Sequence, residues 1–316
     1  MAPTILVAGA TGNTGRNTVE TLSKLLNTSS TLPGHRIIAL TRSSQSQAAQ
    51  KLATLPGVQV LEKSWLDVTP AWLREHEVVR AFIAPHFQPT QFAEESAFHL
   101  ALLQAGVQYV VRISTAAPNV RPDYPAYYAR SHWAIEALLS SPEFSALQWT
   151  SLQPNGFTNF SLASAAELIK QYRKTGEQHT LRLMLAPDVP VGLIHPDDVG
   201  NMAAHLLVQE DPSRHNRAKY VLNGPEDVTG EQIVKMVEQH IGTRVESVSY
   251  KDMSIIDAVA AALPPELKRL ILSLKEHGAL SMWEGKCSAS TTSREVLELA
   301  PPTRTVADGL RDLLEE

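Results

Sequence analysis

Over the first half of the chain, short apolar runs rich in β-branched residues alternate with longer stretches in which apolar positions recur at helical spacing. The runs at 4–8, 36–41, 58–61, 79–84, 109–113 and 148–152 read as strands. Between them, Val19, Leu22, Leu25 and Leu26 share one face of a first helix, and Phe98, Leu102 and Ala105 share a face of a helix over 91–105 that Gly106 ends. Alternation of this kind predicts a parallel sheet covered by helices on both faces. The polar segment 27–34 is expected to be an unusually long loop.

Past residue 152 the rhythm becomes irregular. The pattern predicts a helix near 160–173, a strand at 189–194, a helix from Asp197, a strand at 220–222 and a mostly helical remainder, with Pro264-Pro265 and 299–303 as turns. The expected fold is therefore α/β: a Rossmann-type doubly wound parallel sheet with a small, mostly helical C-terminal substrate region. Residues 1–154 would form the nucleotide-binding core, with the sheet completed by parts of 189–223. Residues 155–188 and 224–316 would form the smaller lid.

Composition narrows the function classes. A net charge of −5 over 316 residues provides no basic field for nucleic acid or anionic lipid. Cys287 is the only cysteine, which excludes an internal disulfide and a thiolate metal cluster and points to a reducing, cytoplasmic setting. No apolar stretch approaches the roughly 20 residues of a membrane span.

The first strand runs straight into Gly9-Ala-Thr-Gly-Asn-Thr-Gly15, which opens the first helix. Three physical demands coincide there: a sharp turn at Gly9, close backbone approach to a pyrophosphate near Gly12, and tight packing of helix on sheet at Gly15. The helix N-terminus would aim unpaired N–H groups at the anion, so Thr11, Asn13 and Thr14 join the glycines as expected cofactor contacts. Arg42 follows the second strand, and no Asp or Glu lies between Ile37 and Ser46. A cation at this place pairs with the 2′-phosphate of NADP(H), where an acid would bond the ribose of NAD(H). Ser43, Ser44 and Arg16 are further candidates for that phosphate.

With these residues in hand, the chain resembles the NmrA-like family of atypical short-chain dehydrogenases. The resemblance rests on Val7-Ala-Gly-Ala-Thr-Gly-Asn-Thr-Gly-Arg16, Ala105-Gly-Val-Gln-Tyr-Val-Val-Arg-Ile-Ser114, His132-Trp-Ala-Ile-Glu136 and Trp149-Thr-Ser-Leu-Gln-Pro-Asn-Gly-Phe157, with later landmarks at 195–200 and 220–225. It implies a Rossmann unit with a small C-terminal substrate region. The family includes both NADPH-dependent reductases and non-catalytic NADP sensors.

In short-chain dehydrogenases a tyrosine donates a proton, a lysine four residues on lowers its pKa, and a serine ends the fifth strand. The matching positions here are Tyr128, His132 and Ser114, with Tyr124, Tyr127 and Arg130 as neighbouring alternative donors. Only an imidazolium would replace the lysine's charge. The structural alternative is that the tyrosines pack at a helix entrance and that His132 and Glu136 form an i,i+4 pair. Strand topology adds Asp67 near adenine, with helix capping as its alternative role, and Pro85 near the second ribose. It also places Pro154, Asn155 and Phe157 near the nicotinamide, with Asn155 bonding the carboxamide. His86 and Phe87 are candidates to face the substrate; Phe157, Phe160, Met184, Leu280 and Trp283 are candidates for its pocket. His195 reads as a strand end before an acidic helix cap, and no metal-ligand set is recognised.

Two functions follow as expectations: an NADPH-dependent reductase of a small apolar carbonyl, quinone, imine or activated C=C compound, or an NADP(H)-sensing regulatory protein that binds a protein partner. A homodimer is compatible with both.

Overall fold

The computed structural model describes residues 2–28, 32–85 and 88–315. The first half builds β1 (Thr4–Ala8), α1 (Asn13–Thr28), β2 (Arg36–Thr41), α2 (Gln47–Ala53), β3 (Val58–Glu62), α3 (Pro70–Glu75), β4 (Val78–Ile83), α4 (Gln91–Ala105), β5 (Tyr109–Ile113), α5 (Tyr127–Ser140) and β6 (Gln148–Pro154). The later chain adds α6 (Thr158–Ser161), α7 (Ala163–Thr175), β7 (Leu181–Leu183), α8 (Pro196–Leu207), β8 (Ala218–Leu222), α9 (Gly230–Ile241), β9 (Val248–Tyr250), α10 (Ser254–Ala261), α11 (Pro265–Leu272), α12 (Arg294–Leu299) and α13 (Val306–Glu315).

Seven strands form one sheet in the order β3-β2-β1-β4-β5-β6-β8. Every neighbouring pair in it is parallel. Successive side chains go to opposite faces. Ile5 and Val7 pack with Val19 and Leu22 of α1 and Val199 and Met202 of α8, whereas Leu6 and Ala8 pack with Phe98 and Leu102 of α4 and Ile135 and Leu139 of α5. Burying each such side chain contributes about 1.5–3 kcal/mol, so the two layers clamp the sheet. Chain order reverses at β1, which lies between β2 and β4, and leaves a crevice beyond the carboxyl ends of β1 and β4.

Glycines set the depth of that crevice. A Cβ on Gly15 would stand 2.1 Å from the Gly9 carbonyl oxygen, and one on Gly200 would stand 2.5 Å from the Thr14 carbonyl oxygen. The helices α1 and α8 therefore meet backbone to backbone, and α1 seats directly on the end of β1.

The smaller region has its own core, in which Leu168 and Ile169 of α7, Leu181 and Leu183 of β7, Ile233 and Val237 of α9 and Leu310 of α13 pack together. There β7 pairs in parallel with β9, and neither strand is foreseen by the sequence pattern. Ile256, Ala260 and Ile271 of α10 and α11 pack on Tyr124, Ala126, Tyr127 and Ala129 at the start of α5.

Three expectations change. Residues 189–194 are not a strand: Val191 and Ile194 make isolated bridges to Val228 and Phe157, and only β8 from the later chain joins the main sheet. The run is apolar because it is buried, while Pro190 withholds a ladder donor and Gly192 lies close against Ala289. The expected helix near 160–173 is two helices, α6 and α7, parted at Leu162. The expected loop at 27–34 begins in helix, since Asn27 and Thr28 end α1, and 29–31 lie outside the described residues. Among the described residues no helix is long and apolar enough to cross a membrane.

The close seat of α8 on α1 predicts that Gly200→Ala lowers stability by about 1–3 kcal/mol, the usual cost of overpacking. Urea unfolding measures it, and an unchanged midpoint would contradict the packing described.

Candidate nucleotide site and adjoining cavity

The turn after β1 is shaped for an anion. Gly9 has φ +83°, in the left-handed region, and a Cβ there would meet the Ala84 carbonyl oxygen at 3.1 Å. Gly12 and Asn13 are exposed, and α1 carries no acid in its first turn, so nothing negative competes at its N-terminus. The cradle is open where a diphosphate would lie, and the residues present fit one.

A cavity of about 420 Å³ runs from this turn across the strand ends. Gly9, Thr11, Gly12, Asn13 and Thr14 line its centre, while Gly15 packs beneath Gly9. Arg42, Lys63, Ser64 and Trp65 wall one end; Pro85, Tyr128, His132 and Phe157 wall the other. Lys63 and Trp65 were not foreseen, although an amphipathic Lys-Ser-Trp at the end of a strand next to Arg42 was a usable signal. The Lys63 ammonium lies 5.6 Å from the Trp72 ring centroid.

Other expected contacts lie elsewhere. Asp67 is exposed in a short 3-10 turn and does not line the cavity; Ser64 caps that turn by accepting from Leu66 N–H. Ser44 gives its hydroxyl and its N–H to Glu62, at 2.6 and 2.9 Å, so it is committed to a carboxylate and not to a phosphate. Arg16 pairs with Asp197 at 3.8 Å and lines, with Thr11, Gly12 and Asn13, a separate recess beside the turn. His86 and Phe87 lie outside the described residues.

A second cavity, of about 390 Å³, shares Asn13, Ile113, Tyr128 and Phe157 with the first. Its remaining wall includes Ser114, Pro154, Asn155, Phe160 and Met184, together with Met253, Ile256, His277 and Met282 from the later chain. Leu280 and Trp283 do not line it: Leu280 packs against the α5 entrance, and the Trp283 indole N–H donates to the Met184 carbonyl at 2.7 Å. Asn155 is spent structurally, since its Nδ2 donates to the Gly192 and Cys287 carbonyls and its Oδ1 accepts from Gly156 N–H. It has no amide donor left for a carboxamide.

Beneath the shared wall lies a buried polar network. Arg112 of β5 donates through Nε to Glu95 at 2.7 Å, through Nη1 to Ser151 at 3.0 Å and through Nη2 to His132 Nδ1 at 2.8 Å. Glu136 accepts from Ser114 at 2.9 Å, Ser151 at 2.7 Å and Gln153 at 3.1 Å, and pairs with the Lys219 ammonium at 3.1 Å. Ser114 therefore bonds Glu136, not Tyr128, and His132 bonds Arg112, not Glu136, which replaces the expected i,i+4 pair. Burial, reinforced by the Arg112 guanidinium, pushes the His132 imidazole well below its ordinary value of 6.5. It is neutral, and supplies no lysine-like charge.

Tyr128 meets His132 edge-on, with ring centroids 4.5 Å apart, and burial pushes its phenol above the ordinary value. Among the alternative donors, Tyr124 gives its hydroxyl to the Glu276 carbonyl, Arg130 bonds the Tyr124 and Pro125 carbonyls, and Tyr127 packs against the lid helices. His195 caps α8: its Nδ1 accepts from Asp197 N–H, and its Nε2 lies 3.1 Å from Asp312.

Sheet order, glycine turn and crevice together define a Rossmann-type nucleotide-binding protein. The chain belongs to the NmrA-like family, whose model matches residues 1–304. No curated protein matches the sequence. Among solved structures, an NADPH-dependent quinone oxidoreductase from Escherichia coli, complexed with NADPH, is similar with a TM-score of 0.70 and 20% identity over 98% of this chain and 99% of that one. A triphenylmethane reductase from Citrobacter sp., complexed with NADP(H), gives 0.69 and 20% over 98% and 100%. A nucleoside-diphosphate-sugar epimerase from Staphylococcus aureus gives 0.67 and 16% over 98% and 99%.

The network makes stability dependent on pH. A histidine depressed in the folded state, as His132 is, contributes fully above its unfolded value of 6.5 and loses that contribution as pH falls. Burial alone would raise the Glu95 carboxyl, but Arg112 and His99 outweigh it and hold it below its ordinary 4.5, so its contribution too is lost on acidification. The urea midpoint should therefore fall between about pH 7 and about pH 5, and more steeply below that. His132→Asn, which keeps an acceptor for Arg112, should make the first fall shallower and leave the share due to His99, His205, His215 and His277, which burial also depresses. A midpoint that rises on acidification would contradict the sign.

Proposed function

We propose that the protein is an NADPH-dependent reductase of a small, apolar carbonyl, quinone, imine or activated C=C compound. The observation that carries this reading is the continuity of the two cavities through Asn13, Ile113, Tyr128 and Phe157. The first is polar and glycine-walled at its centre. The second is walled by thioethers, aromatics and aliphatics that exclude water from an apolar guest.

Bound in the first cavity, NADPH supplies a hydride. The first-turn amides of α1 hold the diphosphate, and Arg42 with Lys63 holds the 2′-phosphate. Ser114, on the wall of the second cavity, gives its hydroxyl proton to Glu136, and Tyr128, on the wall common to both cavities, holds the proton that the reduced acceptor needs. The relatives crystallised with NADPH or NADP(H) share this fold, which supports the cofactor assignment.

One observation favours a second reading, a sensor of NADP(H) without turnover. The position of the usual lysine holds His132, which is kept neutral, and Arg112, whose charge acts on Tyr128, is bonded to Glu95, Ser151 and His132.

Calorimetry with NADP+ and NAD+ and NADPH consumption against a panel of quinones, enones, imines and aldehydes separate these. Arg42→Ala and Lys63→Ala should each weaken NADP+ by about tenfold to a hundredfold, the worth of a charge-assisted hydrogen bond, and leave NAD+ nearly unaffected. Equal affinities for the two nucleotides in the unaltered protein would sink the phosphate assignment. Tight NADPH binding with no acceptor turned over would select the sensor.

A further inference from the structure

We propose that Lys219, on the edge strand β8, is a positioning residue for the site: its ammonium satisfies Glu136 from the sheet side, which leaves Arg112 on His132 and holds the helix that carries Tyr128 in register with Ser114. Its part in turnover rests on the reductase reading above.

Strand register brings the lysine there. Arg112 of β5 is paired with Ser151 of β6, and Ser151 with Lys219 of β8, so the three residues stand in one row across adjacent parallel strands. Register partners share a face of the sheet, and Arg112 reaches His132 of α5, so the row lies beneath that helix. Ser151 sits between the two cations: it accepts from Arg112 Nη1 at 3.0 Å and donates to Glu136 at 2.7 Å. The Lys219 side chain is 44% exposed and that of Glu136 only 1%, so the lysine stem crosses from the sheet edge and lays its ammonium on Glu136 Oε2 at 3.1 Å. Ser114 and Gln153 donate to the same carboxylate, at 2.9 and 3.1 Å. Glu136 thus ties α5 to the ends of β5 and β6 and to β8.

The balance of charge makes Lys219 necessary. Two carboxylates, Glu95 and Glu136, are enclosed in the network, and the guanidinium of Arg112 is shared between them unequally: Nε donates to Glu95 at 2.7 Å, while Nη1 stays 3.7 Å from Glu136. Burial pushes His99 and His132 below their ordinary 6.5, so neither ring supplies a second positive charge. Among the described residues, only Arg112 and Lys219 pair with Glu136. A lysine beside an exposed acid contributes little. Here the acid is out of water, and removal of its cation leaves a buried charge uncompensated.

The effect of that loss passes to His132, which Lys219 does not touch. Without the ammonium, Arg112 is the remaining cation near Glu136 and is drawn toward it, off His132 Nδ1. The groups that face His132 are Arg112 of β5, Gln91 and Glu95 of α4, Tyr128 of its own helix, and His277 of the later chain. Of these, Arg112 lowers the imidazole and Glu95 raises it, while His277 is itself pushed down to about 4 by burial and is neutral. A retreat of Arg112 therefore moves His132 upward, toward its ordinary value, and loosens the rotation of α5 that sets Tyr128 at the cavity wall.

Nitrogen NMR of the cofactor-free protein tests the network apart from turnover. In the unaltered protein the His132 ring should be neutral, protonated at Nε2 and accepting at Nδ1. Lys219→Met, which keeps the stem and loses the charge, should divide the ring between tautomers and move its titration toward 6.5; Lys219→Arg should restore the original spectrum. In a Glu136→Gln background, which removes the buried charge, Lys219→Met should have no further effect. With any acceptor that the unaltered protein reduces, Lys219→Met should lower kcat by about tenfold to a hundredfold, the cost of a misplaced reacting group, with little change in the KM for NADPH, and Lys219→Arg should recover it. A His132 spectrum or a kcat unmoved by Lys219→Met, or the same losses in Lys219→Arg, would overturn the proposal and leave the reductase reading standing. If the unaltered protein binds NADPH and reduces no acceptor, that reading fails and the part of Lys219 in turnover fails with it, whatever the spectra show.

Discussion

Backbone can approach backbone only where no Cβ intervenes, and the nucleotide end of this molecule is organised around that constraint. Gly15 lets α1 close on the carbonyl of Gly9, and Gly200 lets α8 close on α1. The first contact brings the N–H groups of the helix to the ends of β1 and β4; the second backs the helix so that it cannot withdraw. Chain segments nearly two hundred residues apart thus define one crevice, and both cavities open from it. Any side chain at either glycine would move the helix and the anion cradle together.

The second organising feature is charge placed where water is absent. Arg112 is the penultimate residue of β5, on the face covered by α4 and α5, and joins Glu95 of one helix to His132 of the other. Dehydrating such groups costs several kcal/mol each, so their net worth for stability is small when satisfied and strongly negative when one partner is removed. Their effect here is geometric. They lock the helix bearing Tyr128 in rotation and height against the sheet, and they hold the imidazole neutral.

Much of the fold was legible because its signals are local. The strands at 4–8, 36–41 and 109–113 and the helix at 91–105 have the bounds that apolar runs and flanking turn residues indicate. The glycine turn and Arg42 likewise carry their meaning in their own neighbourhood. What failed depended on tertiary partners. Ser114 and Asn155 sit at the expected strand ends, yet their hydrogen bonds go to Glu136 and to the Gly192 and Cys287 carbonyls, which no spacing rule connects to them. Residues 189–194 are apolar through burial without pairing. One signal was available and unread: Arg112 within an otherwise apolar strand implies a buried cation, and therefore acids on the covering helices, where Glu95 and Glu136 stand.

The apolar cavity takes three methionines from three separate stretches of chain: Met184, Met253 and Met282. Each is unbranched, polarizable and able to change rotamer without disturbing the sheet. A wall of that kind moulds itself to its guest instead of selecting one outline, so discrimination among flat or bulky molecules falls to the rigid side, where Ile113 and Tyr128 stand. The same sulfurs give the pocket a chemical vulnerability: conversion of a thioether to a sulfoxide would plant a dipole in a surface built to repel water.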